Sequence, residues 1–156
     1  MKVKDIMSKE VFTAQPDMNI SEVAKILAEN KIHGVPVVDA DKKIVGIITE
    51  TNFFAKVNGE PVLSQFVENV KENKLPDVGD LKVGDEINAE TKVKEIMTKD
   101  CVTISPEMET EELFEVFRKR GFHTIPVADA EGILCGIVSV ADLIAMSAKK
   151  DYTKED

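Results

Sequence analysis

Residues 3–53 and 93–143 are two copies of one segment, brought into register without a gap by a shift of 90 positions. Val3-Lys4-Asp5-Ile6-Met7 falls on Val93-Lys94-Glu95-Ile96-Met97, and Pro16-Asp17-Met18 on Pro106-Glu107-Met108. His33, Pro36, Val37, Asp39 and Ala40 fall on His123, Pro126, Val127, Asp129 and Ala130. Gly46-Ile47-Ile48-Thr49 falls on Gly136-Ile137-Val138-Ser139. A duplication this long constrains the fold before any element is read. A copy of about 50 residues buries too little surface to be stable alone, which packing the copies on each other would solve.

Each copy reads as β-α-β-β-α. A leading segment ends in a short strand, Val11-Phe12-Thr13 or Cys101-Val102-Thr103-Ile104, and a Pro-containing turn follows. An amphipathic helix comes next. In the first copy Ile20, Val23, Ala24 and Leu27 keep helical spacing, and Asn19 with Glu22 forms a capping box. In the second, Leu113, Phe114 and Phe117 form the stripe and Gly121 ends the helix. Two apolar strands follow, Val35–Val38 with Ile44–Ile48 and Ile125–Ala128 with Ile133–Val138, joined by Asp-rich turns. Their near-continuous apolar character predicts burial on both faces, with the helices of one copy on the strands of the other. A second helix starts at Thr49 or Ser139. The fold class is α+β: two pseudo-symmetric β-α-β-β-α units, 1–56 and 93–147, with a connector over 57–92 and a charged, frayed tail over 148–156. In the connector Leu63, Phe66, Val67 and Val70 predict an amphipathic helix, Leu75-Pro76 ends it, and residues 77–91 read as a loop.

Composition narrows the function. The net charge is −9, with residues 1–53 near −1, 54–92 near −3 and 93–156 near −5. There is no basic run of the kind that neutralises phosphates, so no nucleic acid strand is expected as a partner. No stretch is apolar enough to span a bilayer, and the N-terminus lacks a signal-peptide core, which predicts a cytoplasmic protein without a membrane partner. Cys101 and Cys135 have neither metal nor redox spacing, and both align with valines, Val11 and Val45; they read as buried thiols.

Three pieces in each copy carry a family resemblance. They are the opening Val-Lys-Asp-Ile-Met (Val-Lys-Glu-Ile-Met), the central His-Gly-Val-Pro-Val-Val-Asp (His-Thr-Ile-Pro-Val-Ala-Asp), and the closing Gly-Ile-Ile-Thr-Glu-Thr-Asn-Phe (Gly-Ile-Val-Ser-Val-Ala-Asp-Leu). Each copy resembles a cystathionine-β-synthase (CBS) domain, and the pair resembles the tandem, or Bateman, module. The match covers about two-thirds of the chain. The resemblance implies a regulatory domain that binds AMP, ADP, ATP or S-adenosylmethionine in clefts between the paired domains, and a homodimer. It implies a regulatory ligand rather than a cofactor.

In the second copy, Ser139 sits where a strand meets a helix N-terminus, whose orphan N–H groups and dipole favour phosphate. Asp142 stands about one turn further on, placed to accept from ribose hydroxyls; the family gives its Ser/Thr and Asp these roles. Ser-x-x-Asp is equally an N-cap pattern that serves the helix without any ligand. The first copy keeps Thr49 but has Asn52 for the acid, so its cleft binds more weakly, binds something else or is empty. Adenine is expected between Thr103-Ile104 and Ile125-Pro126, and in the first copy between Thr13-Ala14 and Val35-Pro36, segments that also serve as core. Arg120, and less so Arg118, reads either as a cation at a helix C-terminus or as a phosphate clamp. His33 and His123 occupy equivalent places and read as structural; no metal site is expected.

Three functions compete. The first is a non-catalytic sensor of an adenosyl ligand acting on a separate effector protein. The second is a ligand-free structural or interaction dimer that binds a protein partner. Catalysis is disfavoured: no nucleophile triad, Gly-rich phosphate loop with Lys, or metal-ligand cluster is present.

Overall fold

The computed structural model describes residues 1–54, 56–57, 60–61 and 91–152. The elements in the first copy are α1 (Val3–Ile6), α2 (Ile20–Asn30), β1 (Gly34–Val38), β2 (Ile44–Thr49) and a 3-10 helix (Glu50–Phe54). A minimal antiparallel pair follows, β3 (Lys56–Val57) with β4 (Glu60–Pro61). The second copy supplies α3 (Val93–Ile96), α4 (Thr110–Arg120), β5 (Thr124–Ala128), β6 (Leu134–Ser139) and α5 (Val140–Tyr152). Residues 148–152 are therefore the end of a helix. The expected connector helix around Leu63–Val70, its end at Leu75-Pro76 and the loop from residue 77 to residue 90 lie outside the described residues, as do residues 153–156.

The chain divides into two compact units, and they do not follow the repeat boundaries. One unit is Phe12–Ala40 with Val45–Cys101; the other is Met1–Val11, Asp41–Ile44 and Val102–Asp156. Each therefore takes its leading helix from the opposite copy.

In the first-repeat unit, Ile20, Val23 and Leu27 of α2 pack with Val35 and Val37 of β1, Ile48 of β2, Ala14 and Phe53. Val93 and Ile96 of α3, which opens the second repeat, complete this core. Backbone bonds hold α3 there: the Val93 N–H donates to the Met18 carbonyl at 2.9 Å, and Ile47 and Thr98 exchange bonds of 3.0 and 2.9 Å. The second-repeat unit is built alike. Val3 of α1 is buried with Leu113, Phe117, Ile125, Val127, Val138 and Leu143, its N–H donates to the Met108 carbonyl at 2.9 Å, and Ser8 and Ile137 exchange bonds of 2.8 and 2.9 Å. Each large side chain removed from water in this way contributes about 1.5–3 kcal/mol. Packing across copies, expected for the helices generally, is made among the described residues by the short leading helices α1 and α3, and the turn at 41–44 also pairs with the second copy, the Ile44 N–H donating to the Gly132 carbonyl at 3.0 Å. The long helices pack on the strands of their own repeat.

Two glycines make the exchange possible. A Cβ on Gly46 would lie 2.7 Å from the Thr98 carbonyl oxygen, and one on Gly136 would lie 2.7 Å from that of Ser8. Any side chain there would push the borrowed segment off the sheet.

The local signals behave as their chemistry dictates. The Asn19 N–H donates to the Glu22 carboxylate at 3.2 Å, closing the first turn of α2. Gly121, at φ 69°, ends α4 in the left-handed conformation, and Lys31, at φ 51°, occupies the equivalent place after α2. β1 is buried at every residue. The expected strands at 11–13 and 101–104 reduce to single bridges, Ala14 with Val37 and Ile104 with Val127. Pro16 and Pro106 lie two residues beyond and have no N–H with which to extend the ladder. The second helix of the first copy is a 3-10 helix in place of the regular helix seen in the second. Thr51, Asn52 and Phe53 are weaker helix formers than Ala141, Leu143 and Ala145. Among the described residues no helix is long and apolar enough to cross a membrane.

Candidate functional site

β6 ends at Ser139 and α5 begins on the next residue, so the closing motif sits on a strand-to-helix junction. Asp142 reaches back one turn. Its Oδ2 accepts from the Ser139 N–H at 2.7 Å and from the Ser139 hydroxyl at 3.1 Å. Ser139 Oγ in turn accepts from the Asp142 N–H at 3.2 Å. The pattern thus caps the helix, as its N-cap reading requires. Asp142 Oδ1 accepts no hydrogen bond from the described residues. The side chain is half-buried and borders an open cavity of about 460 Å³ between α1 and α5, lined by Met1, Asp5, Ile6, Asp142, Ala145, Met146 and Lys149. A carboxylate on a cavity wall can accept from ligand hydroxyls, and Asp142 is the one expected ligand residue among those that line this cavity.

The junction of the first copy has the same frame and different chemistry. Asn52 Oδ1 accepts from the Thr49 N–H at 2.7 Å and from its hydroxyl at 3.2 Å. Asn52 Nδ2 donates to the Ile96 carbonyl at 2.8 Å and to the Thr98 hydroxyl at 3.2 Å. The Thr49 hydroxyl also lies 2.8 Å from that of Thr51.

The segments expected around adenine come together within each unit. The Ala14 N–H donates to the Pro36 carbonyl at 2.9 Å, and the Ile104 N–H to that of Pro126 at 3.1 Å. Ser139 is the cross-strand partner of Thr124, beside the Ile125–Val138 pair. Val35, Ile104 and Ile125 spend their side chains on the cores at 0%, 4% and 1% exposure, and Pro36 and Pro126 are buried beside them. Thr13 is half-buried and Thr103 exposed, so these two threonines and the backbone are what such a ligand would meet.

Arg120 is the exposed last residue of α4. Arg118 is bound elsewhere, its guanidinium donating to Glu115 at 2.7 Å. That pair holds the Arg118 pKa above its ordinary value and the Glu115 pKa below. His33 Nδ1 lies 3.1 Å from the Glu50 carboxylate, and the His123 carbonyl accepts from the Val140 N–H at 3.0 Å. Cys101 and Cys135 are half-buried rather than fully buried. Desolvation pushes both thiols upward, away from the thiolate that nucleophilic chemistry requires. Among the described residues no group of His, Cys, Asp and Glu could hold a metal ion.

The residues that sequence reasoning missed are those of the leading segments: Ile96 and Thr98 beside Asn52, and Asp5 and Ile6 on the cavity beside Asp142. Their signal was the Gly46/Gly136 pair, small residues inside strands, which mark the close approach of another backbone.

The family model for the CBS domain matches residues 3–59 and 93–149. An uncharacterised protein of Methanocaldococcus jannaschii is 32% identical over 92% of this chain and 89% of its own length. A CBS domain-containing protein of Dictyostelium discoideum is 33% identical over 94% of this chain and 91% of its own. Inosine-5'-monophosphate dehydrogenase of M. jannaschii is 28% identical, and the match spans 23% of that enzyme's length. Among solved structures, the CBS domain pair of protein MJ0100 in complex with 5-methylthioadenosine and S-adenosyl-L-methionine superposes with a TM-score of 0.66 at 26% identity, covering 96% of this chain and 98% of that one. CBSX2 of Arabidopsis thaliana, in complex with AMP, superposes with a TM-score of 0.72 at 19% identity over 96% and 98% of the two chains. The latter likeness concerns the fold.

Proposed function

The chain belongs to the CBS domain family, and from that premise we propose that it is a non-catalytic regulatory module that binds an adenosyl ligand. The observation that carries this reading is Asp142, a carboxylate at a helix N-terminus with one oxygen that accepts nothing from the described residues, on the wall of a cavity. Ser139 and Asp142 would hold the ribose and its 5' substituent. Thr103, Ile104, Ile125 and Pro126 would flank the base, largely through backbone, and Arg120 would reach a phosphate where the ligand has one. Thr13, Val35, Pro36, Thr49 and Asn52 form the corresponding set of the first repeat. The complex of the MJ0100 domain pair with 5-methylthioadenosine and S-adenosyl-L-methionine supports this class of ligand.

A module of this kind acts by population shift: the ligand favours whichever arrangement it binds better, and a separate protein reads the difference. We place the protein in the cytoplasm as a homodimer. Exposed Phe114 on α4 and Ile144 on α5, at 57% and 65% exposure, support association through helix faces. The same residues favour the second reading, a ligand-free interaction module. The dehydrogenase relatives carry their match over about a quarter of their length, 23% and 24%, and dehydrogenase activity is no part of this proposal.

Thermal unfolding with AMP, ADP, ATP, S-adenosylmethionine and 5-methylthioadenosine separates the readings. A specific ligand at a hundredfold excess over its Kd adds about 2.7 kcal/mol. That gain should appear with at least one of these compounds and fall by at least about 1.4 kcal/mol in Asp142→Ala. A flat response to all of them would leave the interaction module as the function.

A further inference from the structure

We propose that Asn52 is a latch: it ties the closing turn of the first repeat to α3 and so removes that repeat from ligand binding, leaving one ligand per chain. This deepens, and rests on, the adenosyl-binding reading.

The inference follows from where the hydrogen bonds go. A primary amide has two N–H donors and one carbonyl acceptor. At Asn52 all are engaged within the protein. The oxygen takes the Thr49 N–H and hydroxyl at 2.7 and 3.2 Å, and the nitrogen gives to the Ile96 carbonyl and Thr98 hydroxyl at 2.8 and 3.2 Å. The anchor is firm, because Thr98 is itself fixed to Ile47 by a pair of backbone bonds and Ile96 is buried in the first-repeat core. A ribose hydroxyl arriving at Asn52 would have to displace one of these bonds.

At the duplicated place the same latch is chemically impossible. Ile6 and Ser8 stand where Ile96 and Thr98 stand, but the Asp142 carboxylate has no amide hydrogen to give them. Its Oδ1 accepts nothing from the described residues, and a cavity of about 460 Å³ lies between it and Ile6. One side-chain atom, an amide nitrogen in place of a carboxylate oxygen, thus separates a junction tied to its leading segment from one that is not tied to it among the described residues. The pair is the specificity determinant for which repeat accepts the ligand.

A reciprocal exchange tests this. Asn52→Asp keeps the oxygen that caps Thr49 and removes only the donor, while Asp142→Asn supplies a donor toward Ile6. Titration calorimetry with S-adenosylmethionine and with AMP should give one equivalent per wild-type chain, two for Asn52→Asp and none for Asp142→Asn. Two equivalents on the wild type, or one on both wild type and Asn52→Asp, overturns the latch while leaving the adenosyl reading intact. If no protein in the set binds either compound, the adenosyl reading fails, and ligand-free unfolding judges the latch. Asn52→Asp should then lower the unfolding midpoint by roughly 2–8 °C, and an unchanged midpoint overturns the latch. Should Asn52→Asp fail to fold, Asn52→Ser, which keeps a capping oxygen too short to span to Ile96, serves for the same midpoint comparison.

Discussion

The two repeats share a backbone and divide its chemistry. Where the first has Gly34 against Thr49, with room for nothing larger because a Cβ would lie 2.9 Å from the Thr49 methyl, the second has Thr124 paired with the smaller Ser139. Where the second uses Gly121 and Gly132 at φ 69° and 82°, the first forces Lys31 and Lys42 to φ 51° and 63°. Where Lys2 and Lys4 both grip Glu107 at 2.7 and 2.8 Å, Lys94 meets Asp17 at 3.0 Å and Lys92 meets the Asn19 side-chain oxygen at 2.9 Å. Duplication fixes the positions at which a residue is needed. It leaves open which residue fills each, and at the strand-to-helix junction the pair is Asn52 against Asp142.

The largest test of this equivalence lies in the cores. Leu113→Ala should lose about 2–5 kcal/mol in chemical denaturation, and Val23→Ala, at the duplicated place, should lose less because fewer atoms are removed. A larger loss at Val23 would mean that the two cores do not bear load alike.

Next come the close approaches. Gly46→Ala and Gly136→Ala each set a methyl 2.7 Å from a carbonyl oxygen of the borrowed segment. Each should be destabilising by about 1–3 kcal/mol, with faster amide exchange at Thr98 and Ser8 respectively. A neutral substitution at either glycine would contradict the exchange of leading helices in that unit.

Smaller effects sit at the turns. Lys31→Gly and Lys42→Gly should each stabilise by roughly 1 kcal/mol, since glycine reaches positive φ without the clash of a Cβ. Gly121→Ala and Gly132→Ala should move the other way by a similar amount, in the same denaturation assay.

The smallest concerns pH. The Lys2 and Lys4 ammonium groups hold the exposed Glu107 carboxyl down from 4.5 to about 2. A carboxyl lowered in the folded state stabilises it above the unfolded pKa and loses that contribution as pH falls through the folded value. The Glu107 carboxyl carbon should therefore titrate near 2 by NMR and return toward the ordinary range in a Lys2→Met, Lys4→Met variant. The effect on stability should be small, as exposed pairs contribute little.

Most of the fold was legible because its signals are local and repeated. The Asn19–Glu22 box, the Gly121 stop and the apolar strands each announce themselves twice or by a known turn chemistry. The exchange of α1 and α3 was not legible. Four residues of helix carry too little pattern to say which core receives Val3 or Val93, and only Gly46 and Gly136 hinted that a second backbone passes close by. At the junction, Ser139-x-x-Asp142 was readable as a cap or as a ligand site, and the structure gives it the cap, with Oδ1 accepting nothing from the described residues. That Asn52 spends its amide on Ile96 and Thr98, residues far along the chain, depends on tertiary contact and has no signature in local sequence.

The central claim, that ligand chemistry resides in the junction of the second repeat, is tested most directly by titrating S-adenosylmethionine and AMP into three proteins: wild type, Asp142→Ala and Asn52→Ala. Binding is expected for the wild type, at least tenfold weaker binding for Asp142→Ala, equivalent to about 1.4 kcal/mol, and affinity within about threefold of wild type for Asn52→Ala. Loss of binding in Asn52→Ala with full affinity retained in Asp142→Ala would contradict it.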